Sequence, residues 1–163
     1  MDKVEVYHGA TEIVDCPLCS VGRAGLDFGP GFYVTDIYEQ VVSWANTQAE
    51  RHLSKPLLNV YLLDRKNCLA EARYKIFDTY NEDWLDFIVK CRMETGIWKD
   101  YDYIEGSVAD DRVINTISMY MKGYYSKEKA LSKLAYMKPN NQICLLNQAI
   151  IEKHLKFTEC IKL

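Results

Sequence analysis

Asp27-Phe28-Gly29-Pro30-Gly31-Phe32-Tyr33-Val34-Thr35, lying downstream of Tyr7-His8-Gly9, is the stretch whose reading decides the fold. Lys3 to His8 alternates, with Val4 and Val6 on one face and Glu5 and Tyr7 on the other, which predicts a strand ending at a His-Gly. The glycine-spaced turn then feeds a second short strand, Gly31 to Thr35. Strand alternation sends Phe32 and Tyr33 to opposite faces, so one packs inward while the other lines a cleft.

Working outward, residues 9 to 30 hold Pro17, Gly22, Gly25, Gly29 and Pro30 and read as a long loop, the kind that carries function in a compact domain. Asp36 with Glu39 predicts a capping box, opening a helix to His52 with Ile37, Val41, Trp44, Ala45 and Gln48 inward. Leu57 to Leu63 reads as a strand. Asn81 caps a helix carrying Trp84, Leu85, Ile88 and Cys91. Tyr103 to Ala109 reads as a strand running into Asp110-Asp111, and a helix with Val113, Ile117 and Met121 inward stops near Gly123. Ser126 opens a helix to Met137. Pro139-Asn140-Asn141 is a turn into a strand, Gln142 to Leu146. A helix over Gln148 to His154 precedes a last strand, Leu155 to Leu163. Strands and helices mix without regular alternation, which predicts an α+β fold with two short, mainly antiparallel sheets and flanking helices.

The 163 residues suit one domain over residues 1–163, with no repeat or linker to divide it. At that size folding buries roughly 70% of the extended chain's surface, enough for a core without staples. Net charge is −3, from 20 basic and 23 acidic residues, with no long basic run, so non-specific binding to nucleic acid is not expected. Neither a signal peptide nor an apolar run near the ~20 residues of a membrane span is present, which predicts a cytoplasmic protein with no membrane partner. Six cysteines then lie in a reducing compartment. Cys16-Pro17-Leu18-Cys19 is the only close pair and lacks a second pair at zinc spacing, so no metal is expected.

The His-Gly and the aromatic turn carry the chemistry. An imidazole can hydrogen-bond a ribose hydroxyl, and glycine lets a flat ligand reach backbone N–H and C=O groups that pair with a carboxamide. Together with an aromatic face, this set suits the nicotinamide-ribose end of NAD. Gly29-x-Gly31 is not a phosphate loop, because it lacks the third glycine and the Lys-Ser/Thr of a nucleotide P-loop.

On these residues the chain resembles the ADP-ribosyltransferase fold, in the branch with diphtheria toxin and the poly(ADP-ribose) polymerases, whose signature is His, Tyr and Glu on three strands. Nearly end to end it is similar to a bacterial family of ADP-ribosyltransferase-like proteins found in toxin–antitoxin or defence loci. The shared features are Arg23, Asp27-Phe28-Gly29-x-Gly31-Phe32-Tyr33-x-Thr35, Trp44-Ala45, Trp84-Leu85-x-Phe87, Gly106-x-x-Ala109-Asp110-Asp111 and Asn141-Gln142-Ile143. The resemblance implies that His8 holds a ribose hydroxyl of NAD, Gly9 backbone reads the carboxamide, Tyr33 stacks on the nicotinamide and Trp44 forms a second aromatic wall. It also implies a macromolecular acceptor, protein or nucleic acid, and a small antitoxin or partner protein.

The third signature position falls on Gln142. Cleaving the nicotinamide–ribose bond passes through an oxocarbenium-like transition state, which a carboxylate stabilises. An amide accepts the same hydroxyl hydrogen bond without the charge, and losing one such contact costs ~2.7–4 kcal/mol of barrier. Single transfer is therefore expected rather than polymer growth. Asp110 and Asp111 are candidates for the missing charge, although aspartate at a helix start is also an ordinary cap. Arg23 is a candidate clamp for the pyrophosphate, and Asp27 a candidate for ordering the glycine-rich loop.

Overall fold

A computed structural model describes residues 3–19, 25–138 and 140–163, and at Asp111 the backbone without the side chain. The described residues form strands β1 (Lys3–Ala10), β2 (Phe32–Val34), β3 (Leu57–Asp64), β4 (Tyr74–Ile76), β5 (Tyr103–Gly106), β6 (Gln142–Leu145) and β7 (Leu155–Lys162). Between them lie helices α1 (Tyr38–Arg51), α2 (Arg65–Glu71), α3 (Glu82–Arg92), α4 (Asp111–Met121), α5 (Lys127–Leu134) and α6 (Gln148–His154). One sheet has the order β1-β3-β7 and the other β2-β6-β5-β4. Every pair is antiparallel except β4 with β5. The α+β class with two small, mostly antiparallel sheets is thus the observed one.

Alternation along β6 explains the layering. Ile143 and Leu145 point to the side where Val6, Phe32, Tyr61 and Leu63 form the core between the two sheets. Cys144 points the other way, into a second core that α3, α4 and α5 close with Trp84, Leu85, Ile88, Val113, Ile117 and Leu134. Phe32 and Tyr33 divide in the same manner. Phe32 sits in the inter-sheet core and Tyr33 packs on the helical one.

Several expectations are corrected. Helix α1 has no capping box: its N-cap is Ile37, without a side-chain cap, and Asp36 instead accepts from Asn141 Nδ2 at 3.0 Å. Thr35 Oγ1 accepts the Ile37 N–H at 3.1 Å, two residues before the N-cap, and fixes the turn that leads into α1. Val41, Ala45 and Ala49 are the buried face of α1, whereas Trp44 is 46% exposed. Met121 is likewise exposed, at the end of α4. Strand β5 stops at Gly106 because the next backbone groups bond to side chains. Ser107 C=O accepts from Trp84 Nε1, Val108 N–H donates to Asn140 Oδ1, and Ala109 N–H donates to Asp27 Oδ2. Helix α2 and strand β4 have no counterpart among the sequence expectations. Pro139 lies outside the described residues.

Candidate functional site

The two sheets meet at an isolated bridge between Tyr7 and Thr35, with Tyr7 N–H to Thr35 O at 2.8 Å and Thr35 N–H to Tyr7 O at 3.0 Å. Tyr7 therefore turns its N–H and C=O away from β3. The two-residue repeat of an antiparallel ladder places the N–H and C=O of Gly9 on that same outer side. Continuing the bridge would pair Gly9 with Tyr33, but the strands part there. The Tyr33 carbonyl is taken by His8 Nδ1 at 2.8 Å. Neither outward group of Gly9 has a hydrogen-bond partner among the described residues. Behind it, α1 packs so close that a Cβ on Gly9 would lie 3.0 Å from both Val41 O and Ala45 Cβ. Glycine is what allows this approach.

His8 is defined by that bond. A carbonyl only accepts, so Nδ1 carries the proton and Nε2 is left as a lone-pair acceptor. The ring lies well inside the surrounding atoms, with part of it still open to solvent, and leans on Phe32 at 4.5 Å between centroids. Burial pushes its pKa below the ordinary 6.5, against the opposing pull of the Tyr33 carbonyl. A neutral imidazole with one free acceptor is suited to a hydroxyl donor.

Tyr33 is fixed at its far end. Its hydroxyl donates to Gly29 O at 2.6 Å and accepts from Phe28 N–H at 3.0 Å, pinning the glycine turn to the strand that follows. Gly29 has φ +90° beneath the Trp98 ring, a conformation and a contact that a side chain would not tolerate. At Gly31, just ahead of β2, an added Cβ would meet Cys144 Sγ of β6 at 2.5 Å. Burial pushes the Tyr33 phenol well above its ordinary 10, so it stays a donor. Thr35 donates to Asn141 O at 2.8 Å and ties β2 to the start of β6.

Gln142 is buried and shares a sheet face with Tyr33, since Tyr33 stands opposite Cys144 and Gln142 is two residues away. Its Nε2 donates to Asp27 Oδ2 at 3.2 Å. The same oxygen accepts Ala109 N–H at 2.8 Å, and Asp27 Oδ1 forms an ion pair with Arg92. Asp27 thereby joins the glycine-rich loop to β6, to the exit of β5 and to α3.

The structure brings His8, Gly9, Phe32, Tyr33 and Thr35 together at the parting of β1 and β2, and Gln142 with Asp27 on the Tyr33 side of β6. Asp110 is exposed, and its Oδ1 accepts Arg112 N–H at 3.1 Å and Val113 N–H at 3.2 Å, capping α4. The Asp111 side chain and Arg23 lie outside the described residues. Arg92 is the participant that sequence reasoning missed. A cation in the last turn of a helix is ordinary for the dipole, so nothing marked it. Asn140 and Glu105 were also missed. Glu105 receives Arg65 Nη2 at 2.7 Å, the Tyr103 hydroxyl at 2.6 Å and Asn141 Nδ2 at 3.2 Å.

A cleft of about 430 Å³ opens at the opposite end of β6, among Pro30, Arg73, Trp98, Asp102 and Asn147. It is not lined by His8, Tyr33 or Gln142, and the chemistry places the candidate site with those three. Among the described residues no group of three His, Cys, Asp or Glu is placed to hold a metal ion, and no helix is long and apolar enough to cross a membrane.

No curated protein and no solved structure matches the chain. A family model does match, over residues 4–157, which is nearly the whole of the fold described above. The chain belongs to that family, described as a protein of unknown function (DUF3990).

Proposed function

We propose that the chain is an NAD-dependent mono-ADP-ribosyltransferase, transferring ADP-ribose to a protein or nucleic-acid acceptor with release of nicotinamide. The observation that carries this reading is the parting of β1 and β2. It leaves a neutral His8 with a free Nε2 beside the outward N–H and C=O of Gly9. A ribose hydroxyl donates to Nε2, and a carboxamide exchanges its N–H and C=O with those of Gly9. Tyr33 and the exposed Trp44 are the aromatic faces assigned to the nicotinamide, and Gln142 takes a second ribose hydroxyl. The role as an intracellular toxin or defence effector, held by a small partner protein, rests on the resemblance of the motifs.

The chemistry of transfer follows from this arrangement. The nicotinamide–ribose bond breaks with its electron pair leaving on the nicotinamide nitrogen, and the acceptor's lone pair closes on the ribose carbon while its proton departs. Gln142 orients the ribose without charge, so rate comes mainly from positioning. A second reading has one observation in its favour. The carboxylate touching Gln142 is Asp27, and Arg92 neutralises it, which suits a protein that binds NAD without turning it over.

Incubating the protein with NAD, alone and with cell lysate, and following nicotinamide and ADP-ribose adducts by mass spectrometry separates these readings. Nicotinamide released only with lysate, together with adducts, supports transfer. Release without lysate converts the assignment to NAD hydrolysis. Raised thermal stability in NAD without release leaves the binding module, and no effect of NAD at all ends the NAD reading.

A further inference from the structure

Gln142 stands where an acid is expected with a group that has two unlike ends. An amide offers a donor at nitrogen and an acceptor at oxygen, alike in shape, so its surroundings decide which end meets a ligand. Here the surroundings are Asp27. Its Oδ2 lies 3.2 Å from Gln142 Nε2 and also accepts Ala109 N–H at 2.8 Å, while Oδ1 is held by Arg92. A carboxylate has only acceptors, so an amide turned about would set two oxygens face to face. One orientation is left: nitrogen against Asp27, oxygen away from it. Asp27 is 7% exposed, so solvent does little to weaken the contact.

We propose that Asp27 is a positioning residue that locks the Gln142 amide with its nitrogen inward, so that the carbonyl oxygen alone is offered to a hydroxyl of the ligand. That the ligand is NAD rests on the reading above; the locking of the amide does not. Arg92 belongs to the same device. It balances the charge of Asp27, and its Nε is a buried donor with no partner among the described residues, so the guanidinium serves the carboxylate at the expense of its own hydrogen bonding.

A charge exchange tests this. Gln142→Glu alone sets two carboxylates against each other. Asp27→Asn alone removes the charge that dictates the amide's orientation. Making both changes leaves one carboxylate and one amide at the contact, the introduced amide donating to the introduced carboxylate at the cost of the bond from Ala109 N–H.

The four forms of the full chain are compared by NAD affinity, by chemical denaturation and by the nitrogen-15 resonances of the Gln142 side-chain amide. Each single change is expected to weaken NAD about tenfold, the scale of one hydrogen bond to a charged group. The double change is expected to return affinity to within about threefold of the starting protein, because residues in contact do not add. The Gln142 amide resonances should move in Asp27→Asn. A purely structural Asp27 would lower stability while leaving the affinity of folded protein unchanged. Additive losses in both affinity and stability, or unmoved amide resonances, overturn the proposal. If the unaltered chain binds no NAD, the proposed function falls; coupling in stability and the amide resonances then decide the locking by themselves.

Discussion

His8 has one nitrogen committed to the Tyr33 carbonyl and the other free, and protonation destroys the free acceptor. Because burial lowers its pKa, the folded protein binds this proton less readily than the unfolded chain does. The stability that the neutral ring contributes is complete above the unfolded value of 6.5 and is lost as pH falls through the lower, folded value. NAD affinity is expected to follow the same course, constant at neutral pH and falling as pH drops below 6.5 through the lowered folded value. Titration calorimetry across that range checks it. An affinity that stays level, or one retained in His8→Ala, removes His8 from the site. At this scale the sequence was informative about faces and silent about ends. Alternation placed Phe32 and Tyr33 on opposite sides, but the hydroxyl contact from Tyr33 back to Gly29 depends on the positive φ of that glycine, which no spacing reveals.

Among the elements, those with strong local signals were legible and those held by tertiary contacts were not. Asn81, Ser126 and Asn147 cap α3, α5 and α6 with their side chains, as polar residues ahead of periodic apolar ones do. Strand β4 has only three residues and α2 seven, too short for a period to show. Trp44 misled because an aromatic at helical spacing reads as core, whereas α1 lies on Gly9 and admits only small or slender side chains there. The cap of α4 gives a direct prediction. Asp110→Ala should cost about 1 kcal/mol of stability, the usual worth of a helix cap, and leave nicotinamide release unchanged. Denaturation and the release assay measure the two effects separately. Activity lost while stability is kept would return Asp110 to the chemistry.

For the molecule as a whole, the cysteines report on packing. Cys68, Cys91 and Cys144 are buried, whereas Cys16 is exposed and Cys19 and Cys160 are partly so. Burial pushes the Cys68 thiol up to about 11 and Cys91 to about 12, and Cys144 higher still. The thiolate is the reactive form, so alkylation at neutral pH should mark Cys16, Cys19 and Cys160 and spare the other three until denaturant is added. Intact-mass spectrometry counts the labels; early labelling of Cys144 would mean that β6 is not sealed against the helices.

The placement of β6 has a further consequence. Strand β2 finds its ladder partner only in Gln142–Leu145, so the two strands that present Tyr33 and Gln142 are joined late in the chain. Strand β1, by contrast, pairs with β3 within the first 64 residues. A chain growing from the ribosome can therefore pair β1 with β3 while β2 still waits for its neighbour, which begins only at Gln142, long-range strand pairing being the slow step in folding. Every nascent or prematurely terminated form ending before β6 is then without the strand pairing that sets Tyr33 and Gln142 on one sheet face.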